Sequence, residues 1–83
     1  MDNNATNIFD VKDINNTLVK DTLNEAVESL EERGYNSINQ LVGYLISGDP
    51  GYISNYKETR KKLSKIDRTD IIEVLLRNYL SRK

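Results

Sequence analysis

The stretch GYNSINQLVGYLISGDPGYI, residues 34–53, decides the fold of this 83-residue chain. It contains all four glycines, the only proline and three of the five tyrosines. These residues surround a short apolar group formed by Leu41, Val42, Leu45 and Ile46. Because glycine and proline interrupt regular helices, the stretch predicts a helix stop, a short buried helix and a rigid turn.

The first half of this stretch predicts the end of one helix and the start of the next. Gly34 suits the left-handed conformation that commonly follows the last residue of a helix. Ser37 followed by Gln40 matches a capping box, which predicts a second helix starting at Ser37. Gly43 inside this helix costs about 1 kcal/mol relative to alanine and therefore indicates a close contact. The predicted apolar face contains Ile38, Leu41, Val42, Leu45 and Ile46.

The second half predicts a turn. Ser47 and Gly48 close the second helix, and Asp49-Pro50-Gly51 has the residue types of a type II turn, with positive φ at the glycine. The spacing leaves room for an extra short turn of helix near residue 52.

On the N-terminal side the chain divides into a tail and a helical domain. Apolar residues at helical spacing predict a first helix from Thr17 to Arg33, with Val19, Leu23, Ala26, Val27 and Leu30 on one stripe. Residues 1–16 are rich in asparagine and aspartate and poor in apolar side chains, which predicts a largely disordered tail. Within this tail, Ile8 and Phe9 are expected to dock weakly on the folded part. The predicted division is therefore a flexible tail over 1–16 and a helical domain over 17–83.

On the C-terminal side the spacing predicts two more helices. The third should cover Tyr56 to Lys65, with a basic polar face made by Arg60, Lys61, Lys62 and Lys65. The fourth begins after a cap at Asp67 or Thr69 and carries an apolar stripe formed by Ile71, Ile72, Leu75, Leu76, Tyr79 and Leu80. Glu73 and Arg77 form a stabilising i, i+4 pair. Together these elements predict an all-α bundle of four main helices.

Composition limits the classes of function. The chain is 37% hydrophobic and 30% charged, and it lacks an apolar run of the roughly 18 residues that a membrane span requires. Its N-terminus has no secretory signal pattern, so we expect a cytoplasmic protein without membrane insertion. Cysteine and histidine are absent, which removes disulfides and the commonest metal ligand and general base. We therefore expect no catalysis, no metal and no cofactor, and we interpret paired carboxylates such as Glu28 with Glu32 as a solvated face.

The two halves of the chain carry opposite charge. Residues 1–49 have nine acidic and three basic side chains, a net −6, while residues 50–83 have four acidic and nine basic ones, a net +5. Halves of opposite sign suit packing within a chain or between subunits, and this is the interpretation that we prefer. The alternative is a small nucleic-acid-binding regulator that uses the basic third helix.

The run from Arg33 to Ile53 closely resembles the signature of the IreB family of small regulatory phosphoproteins from low-GC Gram-positive bacteria. The resemblance extends over about Thr17 to Leu80. It implies a helical homodimer without catalytic activity that is modified by a transmembrane Ser/Thr protein kinase and its opposing phosphatase. It also implies negative regulation, through an unknown downstream protein, of the response to cell-envelope stress and cell-wall antibiotics.

The resemblance places the phosphorylation site at Thr6. The best-known branch of the family has two tail threonines three residues apart, and Thr6-Asn7-Ile8-Phe9 matches the second. Asn3 occupies the first position and has no hydroxyl group, which leaves Thr6 as the single candidate. Ser37 and Ser54 stand where relatives often have proline.

Two sets of residues complete the predicted site. Phosphorylation of Thr6 adds about −1.5 to −2 charges, so the tail is either repelled by the acidic first helix or captured by a basic cluster. That cluster consists of Arg60, Lys61, Lys62 and Lys65. Turn and helix chemistry does not explain the polar side chains of Tyr35, Asn39, Gln40 and Asp49. We expect these four to form a network that holds the helices or the dimer in register, with partner binding as the second interpretation.

Overall fold

The computed structural model describes residues 11–81, and every regular element within that range is helical. The described residues form four α-helices: α1 (Val11–Glu32), α2 (Ser37–Ser47), α3 (Thr59–Ser64) and α4 (Arg68–Ser81). Single 3₁₀ turns lie at Pro50–Tyr52 and Tyr56–Glu58. The predicted all-α bundle of four main helices is confirmed, including the extra turn near residue 52. None of the helices in this range is long and apolar enough to cross a bilayer.

The core is built around α1, which packs against α2, α3 and α4. Its predicted apolar stripe is confirmed, because Val19, Ala26 and Leu30 are almost fully buried and Leu23 is 9% exposed. The other helices and the segment after α2 complete the main cluster with Tyr44, Ile53, Leu63, Ile71 and Val74. The periodicity of α1 therefore identified the central element of the fold.

The start of α1 differs from the prediction. The helix begins at Val11 rather than Thr17, so residues 11–16 are helical where the sequence predicted a disordered segment. The Asn15-Asn16 pair favours a helix start at Thr17, because asparagine is a common N-cap residue. Each asparagine inside a helix costs up to about 0.7 kcal/mol relative to alanine, which is too little to stop a helix that tertiary packing stabilises further along the chain.

In the connection between α1 and α2, the left-handed conformation predicted for Gly34 is confirmed, whereas the predicted N-cap is wrong. Gly34 has φ +84°, and the N–H of Tyr35 donates to the carbonyl of Leu30, as in a left-handed C-terminal cap. The capping box at Ser37 is wrong, because Asn36 is the N-cap and its Oδ1 accepts from the N–H of Asn39 at 3.0 Å. The Ser37 hydroxyl is buried and instead donates to Glu31 Oε2 at 2.9 Å. The cap thus lies one residue earlier than predicted, while α2 begins at Ser37 as expected.

The Asn36 cap provides a test of this junction. We expect Asn36→Ala to lower the free energy of unfolding by about 1 kcal/mol, because the first turn of α2 loses its side-chain acceptor. Asn39→Ala is the matched control, since it removes the same side chain from an exposed position that is not the cap. Urea unfolding followed by circular dichroism measures both changes. Equal losses in the two variants would contradict the assignment of the cap.

The end of α2 and the following turn are held by two side chains. Gly48 has φ +76°, and Arg68 Nη1 donates to the carbonyl of Leu45 at 3.0 Å, which satisfies one of the last carbonyls of α2. The predicted type II turn is wrong, because the residues with positive φ do not include Gly51. Asp49 Oδ1 accepts from the N–H of Gly51 at 2.8 Å and caps a 3₁₀ turn that starts at Pro50. Proline suits the first position of such a turn, because its missing N–H is not needed there.

The third helix is shorter than predicted. Instead of a single helix from Tyr56 to Lys65, the chain makes a 3₁₀ turn and then enters α3 at Thr59. Lys57 and Glu58, the last two residues of that 3₁₀ turn, adopt left-handed conformations, with φ of 52° and 58°. Neither residue type favours positive φ, so the sequence contained no signal for this break.

Two helices bury different faces from those predicted. In α2 the buried aromatic is Tyr44, while Ile38, Val42 and Ile46 are exposed. In α4 only Ile71 and Val74 are buried, and the rest of the predicted stripe is between 41% and 65% exposed: Ile72, Leu75, Leu76, Tyr79 and Leu80. Each exposed set follows helical spacing and therefore forms one continuous apolar face.

Candidate functional site

The predicted phosphorylation site, Thr6, lies outside the described residues, as does the first position at Asn3. The described chain begins at Val11, the first residue of α1. Assignment of Thr6 therefore stays a prediction.

Three of the four unexplained polar residues line one cleft. Tyr35, Gln40 and Asp49 face a cavity of about 800 Å³ between the end of α1, the start of α2 and the segment from Asp49 to Arg60. Asn39 does not line it, and the N–H of this residue serves the Asn36 cap. The structure thus brings three of the four side chains together around a concave surface.

Hydrogen bonds explain two of these three residues. Gln40 Nε2 donates to the carbonyl of Tyr52 at 3.1 Å, which ties the start of α2 to the 3₁₀ turn. Asp49 caps that same turn through Gly51. Tyr35 is 54% exposed, so its ring is available at the rim of the cleft. Their role in a dimer or in partner binding stays a prediction.

The cleft combines aromatic walls with two cations. Tyr52 and Tyr56 join Tyr35 on its lining, and Arg33 and Arg60 lie beside them. The guanidinium carbon of Arg33 stands 5.3 Å from the centre of the Tyr56 ring, within cation–π range. Arg60 Nε donates to the carbonyl of Ile53 at 3.0 Å, which holds this half-buried arginine in place.

The backbone is strained at the edge of the cleft. Lys57 and Glu58 directly follow Tyr56 and both have positive φ. A left-handed conformation costs a residue with a side chain roughly 1–2 kcal/mol. Strain of this kind persists only where the surrounding contacts enforce it, and it concentrates at binding sites.

The predicted basic cluster is divided in the structure. Arg60 faces the cleft, whereas Lys62 Nζ lies 3.0 Å from Glu25 Oε1 on α1. Lys61 Nζ lies 3.9 Å from Glu58 Oε1. Lys65 is exposed near the end of α3. Two of the four cations, Lys61 and Lys62, therefore pair with glutamates at the surface.

The acidic side of α1 carries a smaller cleft of about 280 Å³, lined by Glu25, Glu28 and Glu32 with Lys62. Glu31 does not line this cleft and accepts a hydrogen bond from Ser37. Within residues 11–81 no group of three or more acidic side chains is placed to hold a metal ion.

Sequence reasoning missed two features of this surface. It separated Arg33, at the end of the first helix, from Arg60, and only the fold brings both to one cleft. It also assigned the apolar faces of α2 and α4 to the core of the single chain. The short chain length was the available signal, because a domain of about this size buries only about 60% of the surface that its unfolded chain exposes.

One comparison with known proteins bears on the whole chain. The family model described as IreB regulatory phosphoprotein matches residues 4–81, which include Thr6, the cleft and all four α-helices.

Proposed function

Because the chain belongs to the IreB family of regulatory phosphoproteins, we propose that it is a non-catalytic cytoplasmic signalling protein controlled by phosphorylation of its N-terminal segment. In this proposal a transmembrane Ser/Thr kinase adds the phosphate and an opposing phosphatase removes it. The protein acts as a negative regulator of the response to cell-envelope stress and cell-wall antibiotics. The match over residues 4–81 carries the proposal, because it joins the threonine-bearing segment to the folded helices.

Thr6 is the proposed modified residue. A phosphate there adds about −1.5 to −2 charges and three strong acceptor oxygens. Thr6 precedes the first residue of α1 by five positions, so an extended chain can carry the phosphate no further than about 18 Å from the start of that helix. Phosphorylation can therefore change which surface of the domain a partner protein reaches.

Phosphorylation of Thr6 is testable directly. We expect the kinase to add one phosphate per chain to the native protein and none to Thr6→Ala, as measured by intact mass and peptide mapping. Thr17→Ala is the matched control, since it removes the same hydroxyl from an exposed position in α1. Modification of Thr6→Ala to the native extent would contradict the assignment.

We further propose that the protein is a homodimer. The apolar faces of α2 and α4 support this proposal, since eight large apolar side chains on them are exposed in the single chain. Monomeric proteins rarely expose such contiguous faces, which usually mark interfaces. The distal half of α4 provides half of them: Leu75, Leu76, Tyr79 and Leu80.

A charge placed on α4 tests the dimer. We expect the native protein to have about twice the 9.6 kDa mass of one chain in solution, and Leu76→Glu to have the mass of one chain. A carboxylate at this position must be desolvated in the interface, whereas Leu76 is 55% exposed within the protomer and the variant should stay folded. Ser81→Glu is the control, on the same helix and away from the stripe. Sedimentation equilibrium measures the mass, and a native protein of 9.6 kDa would exclude the dimer.

A further inference from the structure

The cleft has the composition of a binding site for an acidic peptide. Its charged lining residues are Arg33, Arg60 and Asp49, and Asp49 already accepts from Gly51. Its volume of about 800 Å³ lies within the range of about 300–1,000 Å³ typical of sites that bury a ligand of drug size. An anionic ligand with an apolar anchor would therefore find arginines and aromatic rings in one concave surface.

The N-terminal segment of this chain has the complementary chemistry. Residues 1–10 contain Asp2 and Asp10 and no lysine or arginine. They also contain the adjacent pair Ile8 and Phe9, with Thr6 three residues before Phe9. The segment thus offers an apolar anchor and negative charge, and phosphorylation of Thr6 increases that charge.

The length of α1 excludes docking of this anchor in the cleft of its own chain. Phe9 precedes Val11 by two residues, so it reaches no further than about 7 Å from the start of the helix. Leu30 is the α1 residue on the cleft lining, and at 1.5 Å per residue it lies about 28 Å along the helix from Val11. Only a second copy of the chain can place its Phe9 among the tyrosines of the cleft.

We propose that the cleft binds the N-terminal segment of a second copy, with Phe9 between the tyrosine rings and Thr6 on the side of the arginines. The phosphate part of this proposal rests on the proposed function, namely phosphorylation of Thr6. Arginine guanidinium groups bind phosphate through charge-assisted hydrogen bonds, so phosphorylation strengthens the docking. Regulation then acts by moving the segment from solvent into the cleft of the partner subunit.

The walls of the cleft are arranged before any ligand arrives. Two cations lie near the Tyr56 ring, with the guanidinium carbon of Arg33 at 5.3 Å and the amine of Lys57 at 5.2 Å from its centre. Hydrogen bonds from Arg60 Nε to the carbonyl of Ile53 and from Gln40 Nε2 to the carbonyl of Tyr52 fix two further parts of the lining. A cleft that is formed in advance loses less conformational entropy when a peptide binds.

Titration with synthetic peptides of residues 1–12 tests the proposal. The peptides carry either threonine or phosphothreonine at position 6 and are added to the isotopically labelled full chain with Phe9→Ala, which removes competition from its own segment. We expect NMR shift changes confined to Tyr52–Arg60 and the end of α1, with the phosphopeptide binding at least tenfold more tightly. Shift changes on α4 or around Lys65 instead, or equal affinity of the two peptides, would overturn the proposal.

Two variants of the labelled chain sharpen this test. Arg33→Gln should weaken the phosphopeptide at least fivefold and change the affinity of the unphosphorylated peptide less than twofold. Lys20→Gln, which removes an exposed cation from α1 away from the cleft, should leave both affinities unchanged. An equal loss of phosphopeptide affinity in both variants would show that the peptide responds only to the net charge of the protein, and it would overturn the assignment to the cleft.

A photocrosslinking residue at position 9 distinguishes docking between two chains from docking within one chain. In a mixture of light and heavy full-length chains we expect crosslinks to Tyr52–Arg60 that join one light and one heavy chain, whereas crosslinks only within a chain would overturn the proposal. These experiments do not involve the kinase. Failure of the phosphopeptide to bind, together with mapped phosphorylation of Thr6, would overturn this inference and leave the proposed function in place.

Discussion

Replacing Ile71 with alanine is expected to lower the free energy of unfolding by about 2–5 kcal/mol. Ile71 is fully buried in the main core cluster, where α4 packs against α1. Alanine loses the transfer free energy of the removed methyl and methylene groups and leaves a cavity that the close-packed neighbours fill only in part. A chain of this length has a total stability of about 4–12 kcal/mol, so the variant should be largely destabilised.

The adjacent residue is the matched control for this change. Ile72 is 41% exposed in the same turn of α4, so Ile72→Ala removes identical atoms with far less burial in the protomer. Urea unfolding at several protein concentrations measures both variants. A loss for Ile71→Ala that does not exceed the loss for Ile72→Ala would show that α4 packs through a different face. A concentration dependence reduced only in Ile72→Ala would place Ile72 in the dimer interface.

Replacing Gly43 with alanine is expected to destabilise the protein by about 1–3 kcal/mol, although the same change in an open helix stabilises by about 1 kcal/mol. An added Cβ would lie 2.5 Å from Cε1 of the Tyr52 ring, closer than real Cβ contacts. The ring must therefore move away from α2.

In a double-mutant cycle with Tyr52→Ala, the effect of Gly43→Ala on the free energy of unfolding is expected to change sign. In a Tyr52→Ala background the obstacle is removed, so Gly43→Ala should stabilise by up to about 1 kcal/mol through helix propensity alone. Thermal unfolding followed by circular dichroism measures the four proteins of the cycle. Destabilisation by Gly43→Ala in both backgrounds would show that the contact with Tyr52 is not the reason for glycine.

The sequence predicted most of the features that depend on neighbouring residues. The left-handed Gly34, the close contact at Gly43 and the stripe of α1 are confirmed. The ion pair of Glu73 with Arg77 is also confirmed, at 2.7 Å. Each of these features follows from spacing of three or four residues, or from the conformational range of one residue type.

The corrected features depend on contacts between distant residues. Ser37 looked like a cap but donates to Glu31 across the connection, so Asn36 takes its place. The predicted third helix breaks at Lys57 and Glu58, whose positive φ values no local preference favours. The basic face predicted for that helix is divided because Lys62 pairs with Glu25 on α1, in agreement with the expected attraction between the two halves of the chain.

By itself, the sequence determined the presence of four helices and the glycine stops after the first two, because helical hydrogen bonds and caps form within a few residues of each other. Only the tertiary structure decided which faces of those helices are buried. A helix as short as α2 has one side against α1, so Tyr44 enters the core and the face of Ile38, Val42 and Ile46 is left outside. The same packing brings Arg33 and Arg60 to the cleft beside Tyr52. These residues are far apart in the sequence, and only the arrangement of the helices in space determines that they meet.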